Sequence, residues 1–385
     1  MNERTRGVLW AAVTAIVIGF TYTDQASLAP LLRDELRLSD AQLGLLPAAL
    51  FIATIPSMFA AGAVSDVLGP KRINTIGFAL SVLGNLLFAF APTFELLLAA
   101  KAISGIGSGI AFIAGFRYIA GLYGEERSQF GQGLYGAGYP LGSALGLQLM
   151  PPLALALGGW RGAFLWSSLT LLVVVMLWMW LSPAVPSATV RSSPLAALRD
   201  GNSWWCFVEH AAGFGLSVAA GTWAAVFLLR EFDLPLVAAG LLGSILLLTA
   251  PFMRSAGGYL LSRAHIGPIA LMRIAQLSNL AGLALLALPG RPFAAALVGL
   301  LLVGIGVSLP YAAVFSTASA LLPRAPASAQ TLTGIGGTVG AVLGAPIMGA
   351  AIERLGFGAA WAVVALIPGA ALLGTFMLRW PGERG

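Results

Sequence analysis

About twelve times along this chain, a run of some twenty apolar residues gives way to a short polar interruption. An α-helix rises about 1.5 Å per residue, so twenty residues match the roughly 30 Å hydrocarbon layer of a bilayer. In lipid, backbone polar groups must be satisfied inside the spanning segment, and runs of this length do that as helices. The chain is 58% hydrophobic and 9% charged, against about 25% charged in a soluble domain. Its surface is therefore expected to meet lipid, and the fold class that follows is an all-α membrane protein with twelve transmembrane helices.

The first six runs are Gly7–Leu31, Ala41–Val64, Ile73–Ala91, Leu96–Leu122, Phe130–Leu157 and Gly162–Leu181. The second six are Trp204–Leu229, Leu236–Ala256, Gly267–Leu288, Pro292–Leu321, Thr331–Ile352 and Phe357–Leu378. Between them, residues 182–203 hold Pro183, Pro186, Pro194, Arg191, Arg199 and Asp200, and no apolar run. The predicted organisation is a bundle over 1–181, a cytoplasmic linker over 182–203, and a second bundle over 204–385. Met1 to Arg6 is basic and precedes an apolar run, as in a secretory signal. The many apolar runs that follow favour a retained membrane helix.

The net charge of +6 is spread over short loops. With no basic tract, nucleic acid is not expected as a partner. Cys206 is the one cysteine, and His210 and His265 are far apart, so neither a disulfide nor a metal site is expected. No phosphate-binding glycine-lysine motif and no cluster of catalytic groups stands in the runs, which argues against an ATP-driven pump and an intramembrane enzyme. No cofactor is expected. Arg4, Arg6, Lys71, Arg72 and Arg127 fall on one side of the predicted hairpins, and Arg33, Arg37 and Arg161 on the other. Counted over the whole chain, the first side is the more basic, which puts both termini in the cytoplasm of a cell bounded by this plasma membrane.

The two halves repeat each other. Gly136, Gly138, Gly142 and Gly146 recur as Gly334, Gly336, Gly340 and Gly344, since 334 − 136 and 344 − 146 both equal 198. Gly69-Pro70 recurs as Gly267-Pro268 at the same spacing. A shift of half the chain predicts two pseudo-symmetric six-helix bundles.

One loop carries more than spacing. Gly62-Ala63-Val64-Ser65-Asp66-Val67-Leu68-Gly69-Pro70-Lys71-Arg72 is a charged turn between two apolar runs. It resembles the loop between helices two and three of the major facilitator superfamily, through Gly62, Asp66, Gly69, Lys71 and Arg72. Val67 and Pro70 depart from the pattern. Gly159 to Phe164 is similar to the segment entering helix six of that family. Lys101 followed by Gly105, Gly107 and Gly109 resembles the helix-four motif, with lysine where arginine is commoner. The resemblance covers nearly the whole chain. It implies the facilitator fold and a secondary transporter that works by alternating access, with the loop as a conformational latch. It also implies a small-molecule substrate and a lipid bilayer as surroundings.

Glycines 138, 142 and 146 lie four apart on one helical face, and 336, 340 and 344 do the same. Such faces are expected to let helices from opposite halves pack closely and part; static packing is the other reading. Pro140 lacks the glycine pair of the family's antiporter motif, which weighs against drug efflux.

Charges inside lipid are costly and mark function. Asp24, in Tyr22-Thr23-Asp24-Gln25, is the first choice for proton coupling, because burial penalises the charged form of a carboxylate. Its other reading is a structural partner for Lys101. Lys101 itself is read as pairing with Asp24, attracting an anionic substrate, or snorkelling outward. Arg254 stands three residues ahead of Gly257-Gly258, which resembles the eighth helix of nitrate/nitrite porters; Met58 stands where those porters carry a second arginine. Its other reading is a side chain reaching the headgroups. Glu209 and His210 are read as a proton relay or as interfacial side chains, and Arg117 and Arg273 as latching or snorkelling. Tyr139, Trp223 and Tyr311, with Tyr22 and Gln25, complete the candidate substrate set. The expected function is proton-coupled uptake of a small anion by a monomer. The alternatives are proton-coupled efflux in the same fold and a non-transporting membrane sensor.

Overall fold

The computed structural model describes residues 2–123, 129–185, 196–263 and 266–378. Arg127, Arg191, His265, Arg379 and Arg384 lie outside the described residues, as do the surroundings of Gly62 and Asp66.

The helices are α1 (Glu3–Thr23), α2 (Ala29–Leu36), α3 (Asp40–Leu68), α4 (Pro70–Phe90), α5 (Phe94–Tyr123), α6 (Gln129–Ala156) and α7 (Trp160–Leu181). After a 3-10 turn at Ala196–Arg199 come α8 (Gly201–His210), a π-helical turn (Ala211–Gly215), α9 (Leu216–Phe232), α10 (Leu236–Gly243) and α11 (Ile245–Arg263). The chain continues through α12 (Pro268–Ala287), α13 (Phe293–Ser308), α14 (Tyr311–Leu321), α15 (Pro326–Val364) and α16 (Leu366–Gly374).

Among the described residues, 10 stretches are long and apolar enough to cross a membrane. One of them, Ser328–Gly374, is 47 residues long and breaks at Gly356, whose φ of 81° and ψ of 174° are non-helical. It is thus two passes. The glycine- and proline-rich α6 has 28 residues, about 42 Å of helix, and is the remaining pass.

Several expected runs are broken. The first, Gly7–Leu31, ends as a helix at Thr23, and a separate α2 starts beside Pro30. Proline lacks the N–H that a continuous helix would need there. Pro310 similarly divides the tenth run into α13 and α14. The seventh begins at Gly201, before the expected Trp204, because the Asp200 carboxylate accepts from the Ser203 N–H at 2.8 Å and caps it.

Contacts divide the chain into two compact units: Met1–Val190 with Leu234–Ser244, and Arg191–Asp233 with Ile245–Gly385. The glycine rows account for packing inside each. The row on α6 faces α1, not a helix of the other half as expected. A Cβ at Gly138 would stand 2.8 Å from Ala15 Cβ, one at Gly142 would overlap the Ile16 carbonyl oxygen, and one at Gly146 would stand 2.9 Å from the Phe20 oxygen. The row on α15 faces the seventh span of its own unit. A Cβ at Gly336 would overlap the Phe207 carbonyl, one at Gly340 would lie 3.0 Å from Ala211 Cα, and one at Gly344 3.0 Å from Ala219 Cβ. Backbones approach this closely only without a side chain between them, so each row joins helices within one bundle.

Candidate functional site

The stretch expected as a turn over residues 62–72 is helical up to Leu68 and again from Pro70, so the turn shrinks to Gly69. Gly69 precedes α4 with a φ of 83°, a conformation glycine adopts without a Cβ clash. Lys71 then reaches α7, and its ammonium donates to the carbonyls of Met179 at 3.0 Å and Ser182 at 2.6 Å. A cation at the C-terminus of a helix meets the negative end of its dipole and satisfies carbonyls with no partner in the helix. Arg72 is exposed.

Within the first unit the structure brings Asp24 and Lys101 together. Lys101 Nζ donates to Asp24 Oδ1 at 2.5 Å and to the Thr21 carbonyl at 2.9 Å. The two side chains are 0% and 1% exposed. The ammonium also stands 5.2 Å from the Phe88 ring centre and 5.7 Å from that of Phe164, within cation–π range. Lys101 therefore points inward; it does not snorkel. A pair so removed from water is held by geometry on every side, because either charge alone would be costly there.

Polar and aromatic side chains continue from this pair. The Tyr22 and Ser108 hydroxyls are 2.6 Å apart. The Tyr22 ring stacks on Tyr139 with centres 5.9 Å apart, and the Tyr139 hydroxyl donates to that of Tyr135 at 2.9 Å. Gln25 is buried and donates to the Tyr22 carbonyl at 3.2 Å. Sequence reasoning missed Phe88, Phe164, Ser108 and Tyr135. Nothing in an aromatic residue of an apolar run says that it will face a charge.

The second unit holds a different group. The Arg254 guanidinium lies 4.2 Å from the centre of the Tyr311 ring. His210 stands edge-on to Phe315 at 5.0 Å and to Tyr311 at 6.1 Å, and its Nδ1 is 3.0 Å from the Thr333 carbonyl. Arg254, Tyr311, His210 and Phe315 are all half-buried. A guanidinium, an imidazole and a phenol side by side can receive a small anion: the first offers a planar fork of N–H groups, the others single polar contacts.

Glu209 and His210 do not meet. Neighbours on a helix are about 100° apart, and Glu209 turns to α12, where its Oε2 accepts from Gln276 Nε2 at 2.8 Å. Trp223 is fully buried and donates to the Ala345 carbonyl at 3.0 Å, inside the packing of its own unit. Arg273 donates to the Thr375 hydroxyl at 2.9 Å and lies over the Phe376 ring at 3.9 Å. The Arg161 side chain pairs with Glu35 of α2, and Trp160 donates to the same carboxylate at 2.6 Å, which ties the start of α7 to α2.

Comparisons with known proteins agree with this architecture. "Probable nitrate/nitrite antiporter NarK1" of Thermus thermophilus is 26% identical over 273 residues, covering 66% of this chain and 61% of that protein. "Probable polyol transporter 3" of Arabidopsis thaliana is 26% identical over 129 residues, covering 33% of this chain and 24% of that protein. The chain thus spans less than two thirds of either. A crystal structure of a bacterial homolog of the human lysosomal transporter Spinster, inward-facing and occupied, superposes with a TM-score of 0.80 at 17% identity, covering 100% of both chains. That likeness is one of fold. The model of the Major Facilitator Superfamily matches residues 11–337, and the chain belongs to that superfamily.

Proposed function

We propose that this chain is a secondary transporter working by alternating access and carrying a small anion together with protons, in the uptake direction. In this reading it sits in the cytoplasmic membrane as a monomer, with both termini on the cytoplasmic side. The observation that carries the proposal is the half-buried Arg254 guanidinium, 4.2 Å over Tyr311 and in the same cluster as His210. An ionisable side chain inside a membrane span is expensive and is expected to serve binding or transport. Guanidinium grips planar oxyanions through two parallel hydrogen bonds. The Thermus relative, whose name specifies nitrate and nitrite, supports an anion. Met58 stands where nitrate/nitrite porters place a second arginine, so a carboxylate held by one guanidinium fits this chain better than nitrate.

Proton coupling is assigned to Asp24. Protonation would remove the charge that holds Lys101, and the ammonium would then have to find another partner. The same event, repeated once per cycle, would tie the first unit's packing to the proton gradient.

A thermal-shift screen of nitrate, nitrite and small carboxylates on purified protein tests the substrate class. The expected result is an anion that stabilises the wild type but not Arg254→Ala. A charge-assisted hydrogen bond is worth about 1.5–3 kcal/mol, so each one lost weakens binding about ten- to hundredfold. Stabilisation by polyols or lipophilic cations alone would refute the anion assignment. Transport measured in both directions, with and without a proton gradient, separates uptake from efflux.

A further inference from the structure

The second unit contains a buried carboxylate that has, among the described residues, no cation beside it. Glu209 is 1% exposed, Gln276 0% and Asn279 0%. Asn279 Nδ2 donates to Gln276 Oε1 at 3.0 Å, and Gln276 Nε2 donates to Glu209 Oε2 at 2.8 Å. Among the described residues this short chain ends on two oxygens with no hydrogen-bond partner, Glu209 Oε1 and Asn279 Oδ1. Both are acceptors, and the amide donor that reaches Glu209 is already used.

The charged groups on the surrounding elements face elsewhere. On α12, Arg273 is one turn before Gln276 and turns to Thr375 and Phe376. On α8 itself, Asp200 caps the helix through Ser203, Cys206 is a buried thiol, and His210 turns to the Thr333 carbonyl. On α14, Tyr311 lies under Arg254. The Arg199 turn precedes the cap, and Glu353 and Arg354 stand in the far half of α15. Among the described residues no ammonium or guanidinium forms an ion pair with Glu209.

The fold itself does not require this acid. Gly107 packs on Ser81 as Gly306 packs on Asn279, and 279 − 81 is 198; at the same spacing Gln276 matches Phe78. Gly142 packs on Ile16 as Gly340 packs on Ala211, so on the first span of each unit the spacing is 195 and Glu209 matches Thr14. In the first unit Thr14 donates to the Ala11 carbonyl at 2.8 Å and Ser81 to the Ser104 carbonyl at 3.2 Å. Thr14 also accepts from Asn74 Nδ2 at 3.5 Å, and these positions find their partners without a carboxylate.

We propose that Glu209, with Gln276 as its hydrogen-bonding partner, is a proton-binding site of the second unit, occupied in this conformation and separate from the Asp24–Lys101 pair. The proton sits on Oε1 and neutralises the carboxylate, while Oε2 accepts from Gln276. A neutral acid needs no counter-ion, so the proton on Oε1 removes the cost of a lone buried charge while Oε2 keeps its Gln276 donor. Loss of that proton requires water or a cation to reach Oε1, so the site exchanges only when the span opens.

Infrared pH titration of the purified full chain in lipid nanodiscs tests this without any substrate. It therefore stands or falls separately from the proposed anion transport. The expected result is a protonated-carboxyl C=O band at neutral pH that is wholly lost in Glu209→Gln and retained in Asp24→Asn. Gln276→Leu keeps the band and shifts it to higher frequency, because the carbonyl oxygen loses its donor. That variant leaves the acid in place and serves should Glu209→Gln fail to fold. Absence of the band in the wild type, its survival in Glu209→Gln, an unshifted band in Gln276→Leu, or its disappearance on adding sodium would each overturn the assignment. The last outcome would make a metal cation the neutralising partner.

Discussion

Replacing Lys101 by methionine removes a charge and little volume. In the native chain Lys101 gives Asp24 a 2.5 Å hydrogen bond and the Thr21 carbonyl a 2.9 Å one, with both charged side chains sealed from solvent. Lys101→Met would leave the carboxylate buried with no cation. Removing one partner of a buried pair costs about 3–5 kcal/mol, much of it the unmatched charge that stays behind. A unit of this size shifts its melting temperature by about 2–4 °C per kcal/mol, so the expected fall is roughly 6–20 °C. Adding Asp24→Asn removes the stranded charge, and the double variant should recover to within about 1 kcal/mol of the wild type. Thermal unfolding of the four proteins in one detergent at neutral pH measures the cycle. Equal losses in the single and double variants would show that the pair is not electrostatically coupled. A loss below about 1 kcal/mol in Lys101→Met would show that Asp24 takes up a proton or is reached by water, and would refute the stranded charge.

Two further outcomes are expected. Gly142→Ala places a methyl against the Ile16 carbonyl and should cost about 1–3 kcal/mol in thermal unfolding, whereas Gly258→Ala, with open space around it, should be close to neutral. Asp24→Asn should abolish gradient-driven accumulation in proteoliposomes while leaving counterflow exchange; accumulation that survives would remove Asp24 from the coupling step.

The spans and the repeat are legible because lipid imposes one rule on every residue of a run, and the glycine spacing survives in both halves. Breaks inside runs are harder to read. Pro30 and Pro310 stand at helix starts, while Pro140, Pro151 and Pro152 stay within α6, and composition does not separate the two cases. The partner of a glycine face is also invisible in sequence: a smooth stripe fits any close neighbour. Of the candidate sites, Asp24, Lys101, Arg254 and Glu209 stand out as charges in apolar surroundings. The groups around them do not, because Phe88, Phe164 and Phe315 are ordinary members of apolar helices. Gln276 and Asn279 carry a signal, two amides three residues apart inside a span, but the acid they serve is 67 residues earlier in the chain.

Lys71 begins one helix and closes another. Its bonds to Met179 and Ser182 mean that the first turn of α4 and the last turn of α7 cannot fray one at a time without breaking the same two contacts. The amides at those two places, more than a hundred residues apart in sequence, should therefore exchange with deuterium as a matched set, and neutralising that single side chain should uncouple their rates.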